Sequence, residues 1–358
     1  MRTDSTVYSA RSAQSGGLVL AFLLALVLLP GCVTQQPGQT ADPVAVAEQI
    51  RARFEQALPG LPLDKQRHYA QRLYRMTGAA RYLPMNRAYG KRLVRRLNKA
   101  FTGLETPGYA ARRAREIVTD YPTRTKKQRR RKQMLAAWGD IAFAKSLAFE
   151  LVQAKSYGLL NEHDLPGYQR ALDYLAAVDF RDFLLDADVM AIYASQVANL
   201  AYYLNTLGVA DLRQDVIAAF RRQYPPQRDA KLSQAEYRNK IYGMTHLVIA
   251  ASAYYQKPVS ARRFRWVLDE FAANLDTILT RTKEDIYTGV GICFLLAGEG
   301  DDPAVARLRA ALLQAFDPAA RMIPAEHGGV NLNKGEHRNV LAIMLLAWPE
   351  ALHPGPEL

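Results

Sequence analysis

Three glutamates and a histidine are spaced so that a helical chain could gather them into an acid–base site: Glu236, Glu284, Glu336 and His246. Two of the glutamates open nearly identical tetrapeptides, Glu236-Tyr237-Arg238-Asn239 and Glu336-His337-Arg338-Asn339. Convergent carboxylates are what glycoside cleavage needs, one as acid and another as base or nucleophile. A Tyr or His beside a carboxylate could instead take a proton from a uronic acid, as in polysaccharide elimination. Candidate ligand contacts are Asn239, Tyr287, His337 and Asn339. His327 and Asn331 join them from the Gly- and Asn-rich loop that precedes Glu336. The same residue types also have structural uses. An acidic residue in a first helical turn complements the macrodipole by about 0.3–1 kcal/mol. His246 among Met244, Leu247 and Val248 suits a hydrogen-bonded core position, and Asn-Gly-rich loops form ordinary turns. No HExxH, CxxC, P-loop, GxSxG or dinucleotide fingerprint occurs, and the spacing of Glu326, His327, Glu336 and His337 matches no familiar ligand set. Neither a metal nor a cofactor is expected.

The elements that must position these residues are helices. Acidic positions recur at 140, 188, 236, 284 and 336, a stride of 48, 48, 48 and 52, each near the start of an apolar segment. Periods near 50 residues mark solenoid, propeller or ring architectures. Helical periodicity runs through nearly every segment, with no alternating strand pattern. One set of helices, at 134–157, 187–207, 235–255, 284–297 and 336–348, is apolar and rich in small residues; 64–81 is a weaker sixth member. A second, amphipathic set falls at 84–101, 109–120, 167–178, 211–223, 261–280 and 303–316. Helices apolar on most sides belong inside and those with a polar face outside. The chain therefore reads as all-α, built from helical hairpins of about 50 residues. An α/α toroid is expected, with an open α-solenoid as the alternative. Counting about 100° per residue, the stripe that begins at Glu236 carries Asn239, Gly243 and His246, while Arg238 and Arg338 point away from their glutamates.

The amino terminus belongs to no fold. Arg2 and Arg11 precede an apolar run, Leu18 to Leu29, which meets Leu29-Pro30-Gly31-Cys32. A basic region, a short apolar core and a small residue before the cut make a secretory signal. The last four residues are similar to a bacterial lipobox, so 1–31 is expected to be a lipoprotein signal, Cys32 the lipidated residue and 32–43 a flexible tether. Residues 44–358 are then one helical domain, held on the membrane through Cys32 and, in the best reading, on the outer membrane facing the periplasm.

The net charge is +13, with its densest basic run at 124–132. In an exported protein such a run suits an anionic glycan or lipopolysaccharide rather than nucleic acid; a solvated loop before a helix starting near Lys132 is the plainer reading. Cys293 lies in the apolar run Gly291-Ile292-Cys293-Phe294-Leu295 and reads as a small buried hydrophobe.

The segments Tyr242-Gly243-Met244-Thr245-His246 and Gly335-Glu336-His337-Arg338-Asn339-Val340 resemble the signatures of an uncharacterised proteobacterial domain family, over roughly residues 130–355. That resemblance implies no activity. More distantly the paired-helix plan is similar to the toroids of glycosidases, polysaccharide lyases and prenyltransferase-like proteins, and fold alone does not carry function. Two functions are expected: binding or processing of an envelope or extracellular glycan through carboxylates at the inner-helix ends, or a non-catalytic envelope scaffold that docks another protein.

Overall fold

Asp42 caps the first helix, its carboxylate accepting the Val44 amide, and Pro43 takes the first helical position, where its missing N–H costs nothing. The structure, a computed structural model, describes residues 42–358. The expected signal, the lipidated Cys32 and nearly all of the tether lie outside the described residues. Sixteen α-helices follow among the described residues: α1 Pro43–Ala57, α2 Leu63–Thr77, α3 Leu83–Leu104, α4 Tyr109–Thr119, α5 Lys126–Ala137, α6 Ile141–Ser156, α7 Gln169–Ala176 and α8 Phe180–Leu185. The second half holds α9 Ala187–Leu207, α10 Arg213–Gln223, α11 Gln234–Ala251, α12 Ala261–Ala273, α13 Leu275–Arg281, α14 Glu284–Leu296, α15 Pro303–Ala315 and α16 Leu332–Leu346. The described residues contain no strand beyond one isolated bridge between Asp317 and Met322. None of the described helices is long and apolar enough to cross a membrane.

Inner helices pack on one another in chain order: α6 on α9, α9 on α11, α11 on α14, and α14 on α16. Helix α16 then packs on α2. From α2, Gln71 Nε2 donates to Gln153 Oε1 (3.2 Å) and an Arg75 Nη donates to Ser156 Oγ (2.8 Å), both on α6. The contacts therefore run a full circuit through six helices. The remaining helices lie behind them: α3 and α4 against α6, α10 against α9, α12 and α15 against α14, and α1 against α16. Small residues permit the close inner approaches. A Cβ on Gly243 would sit 2.7 Å from the Ala194 Cβ, and one on Gly291 would sit 2.7 Å from a Leu345 methyl.

Several boundaries differ from the sequence reading: the helix expected over 261–280 is two, α12 and α13, parted at Asn274, and the one expected over 235–255 ends at Ala251, before residues of left-handed φ. The segment expected as one helix over 134–157 is two, broken at Trp138–Asp140 where Gly139 adopts φ +50°. The basic run is not a loop before Lys132. It forms α5 from Lys126 onward, because Thr125 and Gln128 close a reciprocal capping box.

Candidate functional site

The near-repeated tetrapeptide divides into a shared half and a divergent half. In both copies the Arg and Asn hold backbone. Arg238 Nε donates to Arg281 O (3.0 Å) and Arg338 Nε to Ile323 O (3.1 Å). Asn239 Nδ2 donates to Met190 O (3.0 Å), Ala191 O (3.1 Å) and the Tyr224 hydroxyl (2.9 Å). Buried Asn339 accepts the Ile323 amide (2.7 Å) and donates to Ile323 O and Gly335 O. Asn239 and Asn339 are thus joints between segments; their amides are spent on backbone and, for Asn239, on Tyr224.

The glutamates diverge. Glu236 is exposed at the third position of α11, where it completes a capping box with Ser233, accepting both its amide (2.8 Å) and its hydroxyl (2.5 Å). Those bonds hold its carboxyl below the usual range. Glu336 is the fifth residue of α16, two positions further in than Glu236, and is 0% exposed. Against Glu284, the first residue of α14, it lies one turn deeper, which accounts for the stride of 52 instead of 48. Glu284 opens α14, and no side-chain hydrogen bond or ion pair of it occurs among the described residues. The expected trio of convergent carboxylates is therefore not assembled. Glu336 goes to the interior, whereas Glu236 caps a helix at the surface.

What Glu336 meets instead is α2. Its Oε1 lies 2.6 Å from His68 Nδ1, and its Oε2 accepts from Lys65 Nζ at 3.2 Å. His68 Nε2 lies 3.2 Å from His337 Nδ1, and His337 Nε2 lies 3.4 Å from the Tyr242 hydroxyl. Burial pushes both imidazoles well below their usual range, reinforced for His68 by Arg72, Arg67 and Lys65 and for His337 by His68 and Arg72. Burial raises the Glu336 carboxyl, against the pull of Lys65 and Arg72. With neutral rings and an accepting carboxylate, the donors follow in order. Tyr242 donates to His337, His337 Nδ1 to His68, and His68 Nδ1 to Glu336.

This chain forms part of the wall of a cavity of about 360 Å³ at the centre of the circuit. Helix α2 contributes Arg67, His68 and Arg72; α6 contributes Lys145; α9 contributes Tyr193, Asn199 and Tyr203; α11 contributes Tyr242 and His246. The lining carries three cationic side chains and three histidines, and no carboxylate. Arg72 is 7% exposed, bonds the His68 carbonyl through one Nη (3.2 Å), and its buried Nε has no partner; the Arg67 Nε is likewise buried and unpaired. A buried guanidinium with donors to spare is costly unless something anionic meets it.

The floor is strained. Ala253, Tyr254 and Tyr255 all have left-handed φ, at 54°, 59° and 71°. Each non-glycine residue there costs about 1–2 kcal/mol. Surrounding bonds hold the turn: an Arg75 Nη donates to Tyr254 O (2.9 Å), Tyr255 N donates to Ser252 Oγ (2.8 Å), and Gln256 Nε2 donates to Ala253 O (2.6 Å). The result sets Tyr254 against the cavity, where its hydroxyl accepts from that of Tyr203 at 2.8 Å. On the wall, His246 Nδ1 sits 2.9 Å from Asn199 Oδ1, and burial then Arg72 push its ring down to about 3.

Of the other sequence candidates, Tyr287 is buried within α14, and Asn331 caps α16 by accepting the Lys334 amide. His327 is exposed. None of the three lines the cavity. Cys293 is fully buried, its thiol donating toward Thr245 O at 3.6 Å. Among the described residues no group of three or more His, Cys, Asp or Glu is placed to hold a metal ion. The sequence reading missed Lys65, His68, Arg67 and Arg72. A signal was present: Lys65, His68, Arg72 and Arg75 fall at 0, +3, +7 and +10, one polar stripe on a helix.

The model of the family described as Domain of unknown function (DUF3541) matches residues 43–358, and the chain belongs to that family. The match extends well before residue 130, across α2 with its half of the site. No curated protein and no solved structure matches the chain.

Proposed function

We propose that this family member binds an anionic sugar, of the uronic acid class, in the central cavity and removes a proton from it, in an elimination of the polysaccharide-lyase type. The carrying observation is the ordered chain from Tyr242 through His337 and His68 to Glu336, at the wall of a cavity lined by Arg67, Arg72 and Lys145 without a carboxylate. On this reading the circuit of inner helices is an α/α toroid with its site at the centre. The Leu29-Pro30-Gly31-Cys32 segment, similar to a lipobox, supports a lipid-anchored location in the cell envelope, where acidic glycans are at hand.

The chemistry assigns each group a task. Arg67 and Arg72 pair with the substrate carboxylate and stabilise the negative charge that builds on it as the adjacent C–H bond breaks. The Tyr242 oxygen takes that proton while its own passes to His337 Nε2. The His337 Nδ1 proton moves to His68 Nε2, and the His68 Nδ1 proton moves to Glu336. The C–H electron pair becomes a C=C bond as the neighbouring C–O bond breaks. The Tyr254 hydroxyl, which already accepts from Tyr203, protonates the departing oxygen. The relay then runs back from Glu336 through His68 and His337 to Tyr242, which releases the abstracted proton to solvent in the cavity, and Tyr254 takes up a proton from solvent. A raised Glu336 carboxyl suits the end of such a relay, because it can hold the proton. A two-carboxylate hydrolysis has less support, since Glu336 is buried behind His68 and no second acid shares the cavity.

The test is incubation with a panel of polyuronates, reading the ultraviolet absorbance of a new conjugated C=C bond. Wild type is expected to produce it on at least one polymer and Tyr242→Phe to lose it. Chain cleavage without that absorbance, with solvent oxygen incorporated at the new end, would mean hydrolysis and overturn the reading.

A further inference from the structure

Helix α5 carries Lys126, Lys127, Arg129, Arg130, Arg131 and Lys132, and none of these six forms an ion pair with any acid among the described residues. Some cations elsewhere are paired, Arg96 with Glu150, Arg170 with Glu105 and Arg265 with Glu299; α5 differs in setting its six within one unbroken stretch, Lys126 to Lys132, interrupted only by Gln128. Helix α5 also places its charges badly for its own stability. Two lysines fill the first turn, where the macrodipole repels them, and Lys126–Arg130 and Lys127–Arg131 set like charges four residues apart. A run of six cations that accepts both penalties without one direct ion pair suits an external anion.

The position of α5 ties that charge to the cavity. The Arg131 guanidinium lies over the Tyr193 ring, 4.7 Å from its centroid, and Lys145 Nζ lies 5.5 Å from the same centroid. Tyr193 and Lys145 line the cavity. Tyr193 is turned by a break in α9, where its φ is −136°. The Arg131 Nε is buried without a partner. Further out, a second hollow of about 240 Å³ is lined by Lys126, Lys127 and Arg130 together with Ser233 and Glu236. Of the acids nearby, Glu326 pairs with Arg238 (2.9 Å) and Lys283 (2.6 Å), Glu236 bonds Ser233, and Asp285 is close enough to Lys127 to attract its charge. Cationic side chains thus continue outward from Lys145 through Arg131 to Lys127 and Arg130, along a helix about 18 Å long.

We infer that α5 is an extended subsite for an acidic polysaccharide chain, so that the cavity acts on one unit of a polymer while Lys126, Lys127, Arg130 and Arg131 hold the units beyond it. This rests on the proposed uronate chemistry for the identity of the ligand, and on the unpaired α5 charges for its length.

The experiment measures affinity of the intact chain for galacturonate, mannuronate and glucuronate oligomers of one to six units at low salt. A neutral hexamer and anionic phospholipid vesicles serve as further probes. Affinity is expected to climb at least about tenfold from monomer to hexamer for one of the acidic series, and to fall with added salt. In Lys126→Ala/Lys127→Ala/Arg130→Ala that gain should collapse to near onefold, with the circular dichroism spectrum reporting an intact fold. Affinity independent of length, equal affinity for the neutral hexamer, no binding, or binding only to vesicles would overturn the inference. Length-dependent binding without an elimination product would leave the subsite standing and remove the proposed reaction instead.

Discussion

Glu336 and His68 are 268 residues apart in sequence, and their side chains meet at 2.6 Å, joining the last inner helix to the first. The contact both joins α16 to α2 and ends the hydrogen-bonded series that runs from Tyr242 through His337 and His68. Glu336→Gln keeps the shape but loses the charge that Lys65 and His68 share. We expect a loss of about 1–3 kcal/mol in chemical denaturation, with more than a tenfold drop in any turnover. In a double-mutant cycle with Lys65→Met, the coupling should be clearly non-zero.

Acid should unfold this protein from the inside. His68, His246 and His337, each partly buried at the cavity wall, all have folded pKa values below the ordinary 6.5. The unfolded chain therefore binds their protons first, and the stability that the neutral rings contribute is lost as pH falls below about 6.5. Each group removes up to about 1.4 kcal/mol per pH unit. Glu336 works in the opposite sense, because its folded carboxyl is raised and takes a proton before the unfolded one does. Glu150 and Asp285, also raised by burial, act with Glu336; the three histidines have their unfolded pKa inside the window, so the denaturation midpoint should drop between pH 7 and 5. His246→Gln should flatten that slope by about a third.

The two tetrapeptides should respond by residue and not by copy. Asn339→Ala removes three buried hydrogen bonds and leaves Ile323 backbone groups unmet. A cost of about 2–4 kcal/mol is expected. Glu236→Gln can still accept the Ser233 amide, so its cost should stay below about 1 kcal/mol. Urea titration of the pair separates joint from cap.

The left-handed turn under the cavity offers a stabilising change. Ala253→Gly places a residue that tolerates φ 54° where alanine does not. Stability should rise by up to about 1 kcal/mol, less the added freedom of the unfolded chain. Tyr254→Phe keeps the turn and removes the Tyr203 bond, so it should lower activity far more than the melting temperature.

The helical repeat was readable because inner helices α9, α11, α14 and α16 are apolar nearly all round, which leaves one period and one environment to infer. The fold class and the family resemblance both followed from those segments. The site was half readable. His246, His337 and Glu336 came from that apolar set, but their partners Lys65, His68 and Arg72 sit on α2, whose polar stripe resembles a solvated face. Only closure of the circuit turns that stripe inward. The basic run read equally well as a loop, although Thr125 and Gln128 already stood at capping-box spacing. Nothing in Ala253-Tyr254-Tyr255 announces a left-handed turn, since no Gly or Asn marks it.

The most direct measurement is a crystal structure with an oligouronate bound. A sugar carboxylate within hydrogen-bond distance of the Arg67 and Arg72 guanidinium groups, with the adjacent carbon facing the Tyr242 hydroxyl, is the predicted result. An empty cavity with the sugar seated elsewhere, or a sugar held without those arginines, would contradict the account.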